Sequence, residues 1–383
     1  MNNKTVLRRS VLATMLCFSV STSTFSATST VSGTSNNLVV ESQTMDKSAD
    51  ACSDFFQYAN GKWLANNPIP ADRARYSAYD EVTERNLIAL KSIAEAAAAS
   101  TLASDIPAAR LVGSYYQSGM NEAQIEADGA KPLAAALAQI DAIETREQLL
   151  SVIAKHHQTG TGSLFNFYVD QDAKNTSRYI PQMAQGGLGL PDRDYYFKTD
   201  AKTRDIRQQY QAYVAQLFTL LGDSAELAKH NASVVMALET RLAKVSLTKV
   251  ALRDPQASYH LMDLQGIQKL ESHTVWANYF KEVGLAAPGQ FNVAHPQFIA
   301  EASRMLASVP LVQWKTYLRM QLVNSKAKDL SSNFVNANFD FYGRTLAGTK
   351  ELQPRWKRVL TTIDTGIGEA LGELYVAKFF GPE

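Results

Sequence analysis

An excess of either charge is missing from this chain: Lys and Arg number 38 against 37 for Asp and Glu. Without an excess of base or a local basic stripe, the sequence gives no electrostatic case for nucleic acid or an anionic membrane as partner. Cysteine is nearly absent, with only Cys17 and Cys52 in 383 residues. No apolar run reaches the roughly 20 residues that a membrane helix needs. The sequence also lacks G-x-S-x-G, G-x-G-x-x-G and a GK[ST] phosphate loop, so neither a serine nucleophile elbow nor a nucleotide cradle is in view. The six histidines, at 156, 157, 230, 260, 273 and 295, never stand four apart, and none is followed by glutamate. H-E-x-x-H, which sets two imidazoles and a general base on one helical face, is therefore missing. His156 and His157 would point about 100° apart on a helix, too far to face one metal. The histidines read as core or solvated side chains.

The N-terminus carries a distinct layout. Lys4, Arg8 and Arg9 precede the apolar run VLATMLCFSV (11–20), and the small residues STSTFSA follow. That order is the pattern of a secretory signal peptide, with cleavage expected after Ser26. The chain is then exported, to the periplasm or beyond. Leu16, bulky where a small residue is wanted, argues against a lipid anchor on Cys17. Cys52 becomes the only cysteine of the mature chain, and it reads three ways: an intermolecular bond, a free thiol, or a missing partner. Residues 27–50, rich in Ser, Thr and Asn, read as a flexible lead-in, with ordered sequence from about Ala51 to the end of the chain, 51–383.

The ordered part is mainly α. SAYDEVTERNLIALKSIAEAAAAS (77–100) is built of helix formers. Ile206, Tyr210, Tyr213, Val214, Leu217, Leu220 and Leu221 recur at helical spacing, which predicts an amphipathic helix over 201–221. Weaker patterns place helices at 107–118, 121–140, 145–158, 223–246, 299–307, 310–322 and 365–380. One segment differs: SLFNFYVD (163–170), a turn through 171–175, and TSRYIPQM (176–183) predict a β-hairpin, with Pro181 placing the second strand at a sheet edge. Directly after it comes QGGLGLPDRDYYFK (185–198). Asp192, Arg193 and Asp194 on a bent backbone could form a catalytic loop or a rigid connector anchored by Tyr195, Tyr196 and Phe197. Asn175 and Asn231 each begin a glycosylation triplet, a pattern common by chance.

Four blocks carry a resemblance. CSDFFQYANGKWLANNPIPADRARYSAYDEV (52–82), GLGLPDRDYYF (187–197), FDFYGRTLAGTKELQPRWKRVL (339–360) and ALGELYVAKFF (370–380) resemble, in the same order, N-terminal segments of the neprilysin and endothelin-converting-enzyme family of zinc metalloendopeptidases. The resemblance implies a large helical lobe that caps a zinc-bearing lobe and encloses a cavity admitting peptide substrates. The family's H-E-x-x-H, third zinc ligand, Asn-Ala clamp and late catalytic histidine and arginine have no counterpart here; Asn336-Ala337-Asn338 lies upstream of the block where the clamp would follow.

The expectation is thus a mainly α chain, one large helical lobe with a small β-hairpin, incomplete relative to the family and missing a C-terminal catalytic lobe. It would enclose substrate in an exported enzyme acting on peptides, without zinc ligands of its own. The alternative is a standalone non-catalytic peptide-binding or regulatory module. The resemblance further implies that Cys52 pairs with a cysteine of the C-terminal part, and that Arg75 and Asp80 lie at the primed side of the cleft. There the guanidinium of Arg75 would take the C-terminal carboxylate of a short peptide, two N–H groups meeting two oxygens. Read from the residues alone, Arg75 is a solvated loop residue and Asp80 a helix-start acid. An incomplete lobe should also expose apolar helix faces, such as that of Leu371, Leu374, Tyr375 and Phe379.

Overall fold

The computed structural model describes residues 43–99 and 106–380. The predicted leader, Cys17, most of the lead-in and the last three residues lie outside them. The contacts divide the chain into two units, Met1–Asn67 and Pro68–Glu383.

In the first unit α1 (Phe55–Asn66) starts at Asp54, whose side chain accepts from the Gln57 N–H. The preceding segment folds back along it. The Asp46 N–H donates to the Tyr58 carbonyl and the Lys62 N–H to the Thr44 carbonyl. Order therefore begins before Ala51, because these backbone bonds hold part of the expected lead-in.

The second unit is helical around a small sheet. Its helices are α2 (Ala78–Ala98), α3 (Pro107–Met120), α4 (Glu122–Asp128), α5 (Ala134–Asp141), α6 (Arg146–Gln158), α7 (Asp194–Phe197), α8 (Ala201–Leu220), α9 (Ala225–Val245), α10 (Leu264–Leu270), α11 (Trp276–Glu282), α12 (Pro296–Ser308), α13 (Leu311–Lys326), α14 (Ser332–Asn338) and α15 (Arg355–Phe379). A π-helical turn, Phe339–Ala347, continues α14 and ends at Gly348, whose φ of 74° is left-handed. The helix expected over 121–140 is broken: Gly129 has φ 54° and Pro132 opens a separate 3-10 turn, Lys131–Leu133. The helix expected at 365–380 is the second half of α15, which kinks at Ile367.

The hairpin forms, with β1 (Phe165–Asp172) shifted two residues along the chain from the expected strand and β2 (Asn175–Gln185) longer than expected. Buried Asp172 tightens the turn, accepting from the Lys174 N–H at 2.9 Å and from the Tyr259 hydroxyl at 2.9 Å. With β3 (Leu261–Met262) and β4 (Phe291–Val293) the sheet order is β1-β2-β4-β3. β2 is thus interior, and the edge position expected from Pro181 is corrected. A proline lacks the donor a central strand needs, but β4 pairs only with Gln182 and Met183, so Pro181 stands just before that short parallel ladder.

Two cores result. The larger runs from Leu133 to Phe341 and is centred on fully buried aromatics including Phe165, Tyr210, Trp276, Trp314 and Tyr317. The smaller is a three-helix bundle of α2, α3 and α15, with Ile93, Val112, Leu360, Ile363, Leu371 and Leu374 inside. The expected exposed face on α15 is therefore corrected. Leu371 and Leu374 are 1% and 5% exposed because α2 and α3 cover them, whereas Phe379, at the end of the helix, is 49% exposed.

Candidate functional site

The segment 187–197 meets a buried acid. Glu239 sits on the apolar face of α9 in step with Ala228, Ala232, Val235 and Leu242, and it is fully buried. Its carboxyl accepts from the Tyr196 hydroxyl at 2.8 Å and from the Tyr210 hydroxyl at 2.9 Å. Burial pushes the Glu239 carboxyl up to about 8, against the pull of the two tyrosine hydroxyls and the Gly189 N–H. The loop is held on every side. Tyr317 Oη donates to the Gly187 carbonyl at 2.7 Å and accepts from the Leu164 N–H at 3.0 Å. Tyr342 Oη donates to the Gly189 carbonyl at 2.9 Å. A Cβ at Gly189 would come within 1.8 Å of Tyr210 Oη, so only glycine admits this approach.

The charged triplet serves the same loop. Asp192 accepts from the Asp194 N–H at 2.8 Å and pairs with Lys249 at 3.0 Å, while Arg193 Nε donates to the Ala243 carbonyl at 3.2 Å. Its carboxylates and guanidinium are engaged in anchoring, as a rigid connector requires. The sequence pattern missed Glu239, Tyr210, Tyr317 and Tyr342. An acid in register with an apolar helical stripe was the available signal.

The predicted pair Arg75 and Asp80 lies at the entry to α2. Asp80 stands in the first turn, and Ser77 Oγ donates to it at 2.6 Å. Its ion-pair partner is Arg73, at 2.9 Å, which also binds Glu84. Lys357 of α15 joins Glu84 at 2.7 Å, tying the helix start to the bundle. The Ser77 hydroxyl and the Arg73 guanidinium hold the Asp80 carboxyl below the usual carboxylate range, and Arg75 adds to this only through its charge. Arg75 itself is exposed. The structure does not join Arg75 to Asp80; it fixes Asp80 through Arg73 and leaves the neighbouring guanidinium facing outward. The resemblance singled out Arg75, whereas the ion pair with Asp80 belongs to Arg73, the other arginine of the ADRAR stretch.

The four blocks gather in pairs. The Lys350 and Glu351 N–H groups both donate to the Ala71 carbonyl, joining the third block to the first. The third meets the second through Tyr342 and Gly189, and the fourth packs against α2 in the bundle.

The residues present do not fit a zinc site. Among the described residues no group of three or more His, Cys, Asp or Glu converges. His157 uses both ring nitrogens, on the Tyr279 hydroxyl and the Ser163 carbonyl, and His156 Nδ1 meets Ser163 Oγ at 2.7 Å. Burial pushes His156 down to about 4. His273 is paired with Glu271, and His230 is exposed. Cys52 is an exposed free thiol. No helix among the described residues is long and apolar enough to cross a membrane.

Comparison with known proteins follows the same lines. The family model described as peptidase family M13 matches residues 51–383. Endothelin-converting enzyme 1 of Mus musculus is 28% identical over 354 residues, covering 88% of this chain and 45% of that protein. Membrane metallo-endopeptidase-like 1 of Mus musculus is 27% identical over 370 residues, 89% of this chain and 47% of that protein. Among solved structures, the zinc metalloprotease ZMP1 of Mycobacterium tuberculosis in complex with an inhibitor superposes with a TM-score of 0.83 at 30% identity, over 89% of this chain and 52% of that one. The chain spans about half the length of the curated relatives it matches.

Proposed function

Because the chain belongs to peptidase family M13, within the neprilysin and endothelin-converting-enzyme group of zinc metallopeptidases and over its N-terminal region, we propose that it forms the substrate-enclosing part of an exported zinc metalloendopeptidase that acts on peptides. Zinc and its ligands would come from a catalytic lobe outside these residues, and no step through the metal is assigned to this chain. What the chain itself supplies is binding. An exposed Arg75 beside a braced Asp80 is the observation that carries this reading. The guanidinium receives the C-terminal carboxylate of a short peptide through two parallel N–H bonds. Asp80 acts as a positioning residue, holding the 73–77 turn through Arg73 and Ser77. Cys52, exposed and free, is the thiol that would pair with a cysteine of the catalytic lobe, the two thiols giving up two electrons and two protons to the oxidant of the export compartment to form a disulfide. The leader at 1–26 would send the product to the periplasm or medium.

Sequencing the transcript past codon 383 tests the proposal. An in-frame H-E-x-x-H run supports it, and a stop codon with no such run nearby favours the standalone module. The isolated chain should bind no stoichiometric zinc and hydrolyse no peptide. Chelator-sensitive hydrolysis by this chain alone overturns the assignment.

A further inference from the structure

In the sheet order β1-β2-β4-β3, β1 lies at an edge, and its Tyr168 and Val169 are 47% and 55% exposed. The direction of its backbone groups follows from β2. The Met183 carbonyl accepts from the Ala294 N–H at 2.8 Å, and the Gln185 N–H donates to His295 Nδ1 at 3.0 Å. Residues 183 and 185 thus turn their backbone groups away from β1. Residues 182 and 184 turn theirs towards it, because a strand alternates sides. In the register, Gln182 stands opposite Tyr168 and Ala184 opposite Asn166, so these are the bonded pairs. Phe167, opposite Met183, and Val169, opposite Pro181, direct their N–H and carbonyl groups to the free edge. Pro181 suits this alternation, since it has no N–H and stands where β1 asks for none.

The edge has two further features. A cleft of about 280 Å³ opens beside it, walled by Asn166, Phe167 and Tyr168 of β1 and by Gly160 and Gly162 of the preceding loop. Neither glycine puts a side chain in the way, so the cleft has room for one from outside. Two residues beyond Tyr168, Asp170 is exposed; its carboxylate accepts from the Gln171 N–H at 2.7 Å and has no ion pair among the described residues. The cations of the hairpin are engaged elsewhere. Arg178 pairs with Asp172 at 2.7 Å, and Lys174 lies over the Tyr259 ring at 4.5 Å.

We propose that the free edge of β1 binds an extended peptide as an added antiparallel strand, with a cationic side chain opposite Asp170 and an apolar one opposite Phe167, in the cleft. The N–H and carbonyl groups of Phe167 and Val169, about 7 Å apart along the strand, exchange bonds with two alternate residues of the peptide. Charge decides between this occupant and a second copy of the chain. Another β1 offers the same backbone bonds, but FNFYVDQD holds two aspartates and no Lys or Arg, so it brings nothing to Asp170. The proposed function enters only as the reason a peptide would be at hand, and the binding test below can fail while the peptidase assignment stands.

The test is calorimetric titration of the full 383-residue chain with the blocked peptide acetyl-Thr-Lys-Val-Thr-Val-Thr-amide. One saturable site is expected. N-methylation of both valines, which removes the N–H groups facing the edge, should weaken binding about tenfold or more, and so should glutamate in place of lysine. Val169→Pro removes an edge N–H that the β1–β2 ladder does not use, and it should cost a similar factor. Asp170→Lys should reverse the preference, favouring the glutamate peptide, and this reversal keeps the test decisive if proline disturbs the hairpin. Absence of saturable binding, equal binding of the N-methylated peptide, or an unchanged charge preference in Asp170→Lys each overturns the proposal. A dimer in sedimentation velocity that Val169→Pro dissociates would also overturn it, giving the edge to a second copy.

Discussion

The Tyr196 hydroxyl donates to Glu239 Oε2 at 2.8 Å, joining the loop after the hairpin to the middle of α9. Burial raises the Glu239 carboxyl to about 8 from an ordinary 4.5, so the folded chain holds a proton that the unfolded chain releases between these values. Stability from this group is complete below the lower value and is lost as pH rises through the upper one. A displacement of one unit is worth about 1.4 kcal/mol. Glu239→Gln, neutral at every pH, should therefore melt several degrees above wild type at about pH 9 and close to it at about pH 5. Scanning calorimetry across that range checks the sign, and parallel curves for the two proteins would remove the assignment.

Close approach at Gly189 makes a second prediction. Its added Cβ would overlap Tyr210 Oη, whereas a Cβ at Gly372, within α15, meets nothing within 4 Å. Gly189→Ala should destabilise by roughly 2–4 kcal/mol, since overpacking meets a side chain already bonded to Glu239. Gly372→Ala should stabilise by about 0.5–1 kcal/mol through helix propensity. Urea midpoints of the two variants decide it; a Gly189→Ala midpoint at or above that of wild type would mean the loop is free to shift.

The long helices were legible because packing against one side imposes a period. Ile206, Tyr210, Tyr213, Val214 and Leu217 are all buried along α8, as their spacing requires. Where local breakers compete with that period, the pattern misled: the apolar residues of 121–140 ran on through Gly129 and Pro132, which divide the segment. The short elements α10, α11 and α14, of seven residues each, hold too few turns for a period to emerge. β3 and β4 exist through pairing with chain distant in sequence. At the candidate site the motif located the entry to α2 and named Arg75 but gave no sign of the bracing role of Arg73, which depends on Glu84 and on Lys357 of α15.

His156 supplies a pH dependence of opposite sense. Burial lowers it from 6.5 to about 4, so on acidification the unfolded chain takes up a proton before the folded one does. Stability should fall from about pH 6.5 towards about pH 4, and more steeply in wild type than in His156→Phe, which cannot titrate. Denaturant midpoints along this acid limb provide the measurement. An unchanged slope in the variant would show that other groups carry the acid response.

Arg73 and Arg75 differ in role although two positions apart, and substitution should separate them. Arg73→Ala removes the guanidinium that Asp80 and Glu84 share, leaving Asp80 with Ser77 and Glu84 with Lys357. A loss of roughly 1–3 kcal/mol follows from broken charge-assisted bonds. Arg75 is exposed and carries no such pair, so Arg75→Ala should change stability by less than about 0.5 kcal/mol. Under the proposed carboxylate-binding role, its effect falls on binding. In an enzyme completed by a zinc-bearing lobe, Arg75→Ala should raise KM for short free-acid peptides about tenfold or more while barely affecting their C-terminally amidated forms, which offer no carboxylate to clamp. Arg75→Lys should recover only part of the loss, because an ammonium meets a carboxylate as a point charge rather than through two parallel bonds. Equal losses on acid and amide substrates would assign Arg75 to general positioning of the α2 entry, and a large stability loss would place it with Arg73 in the bracing cluster.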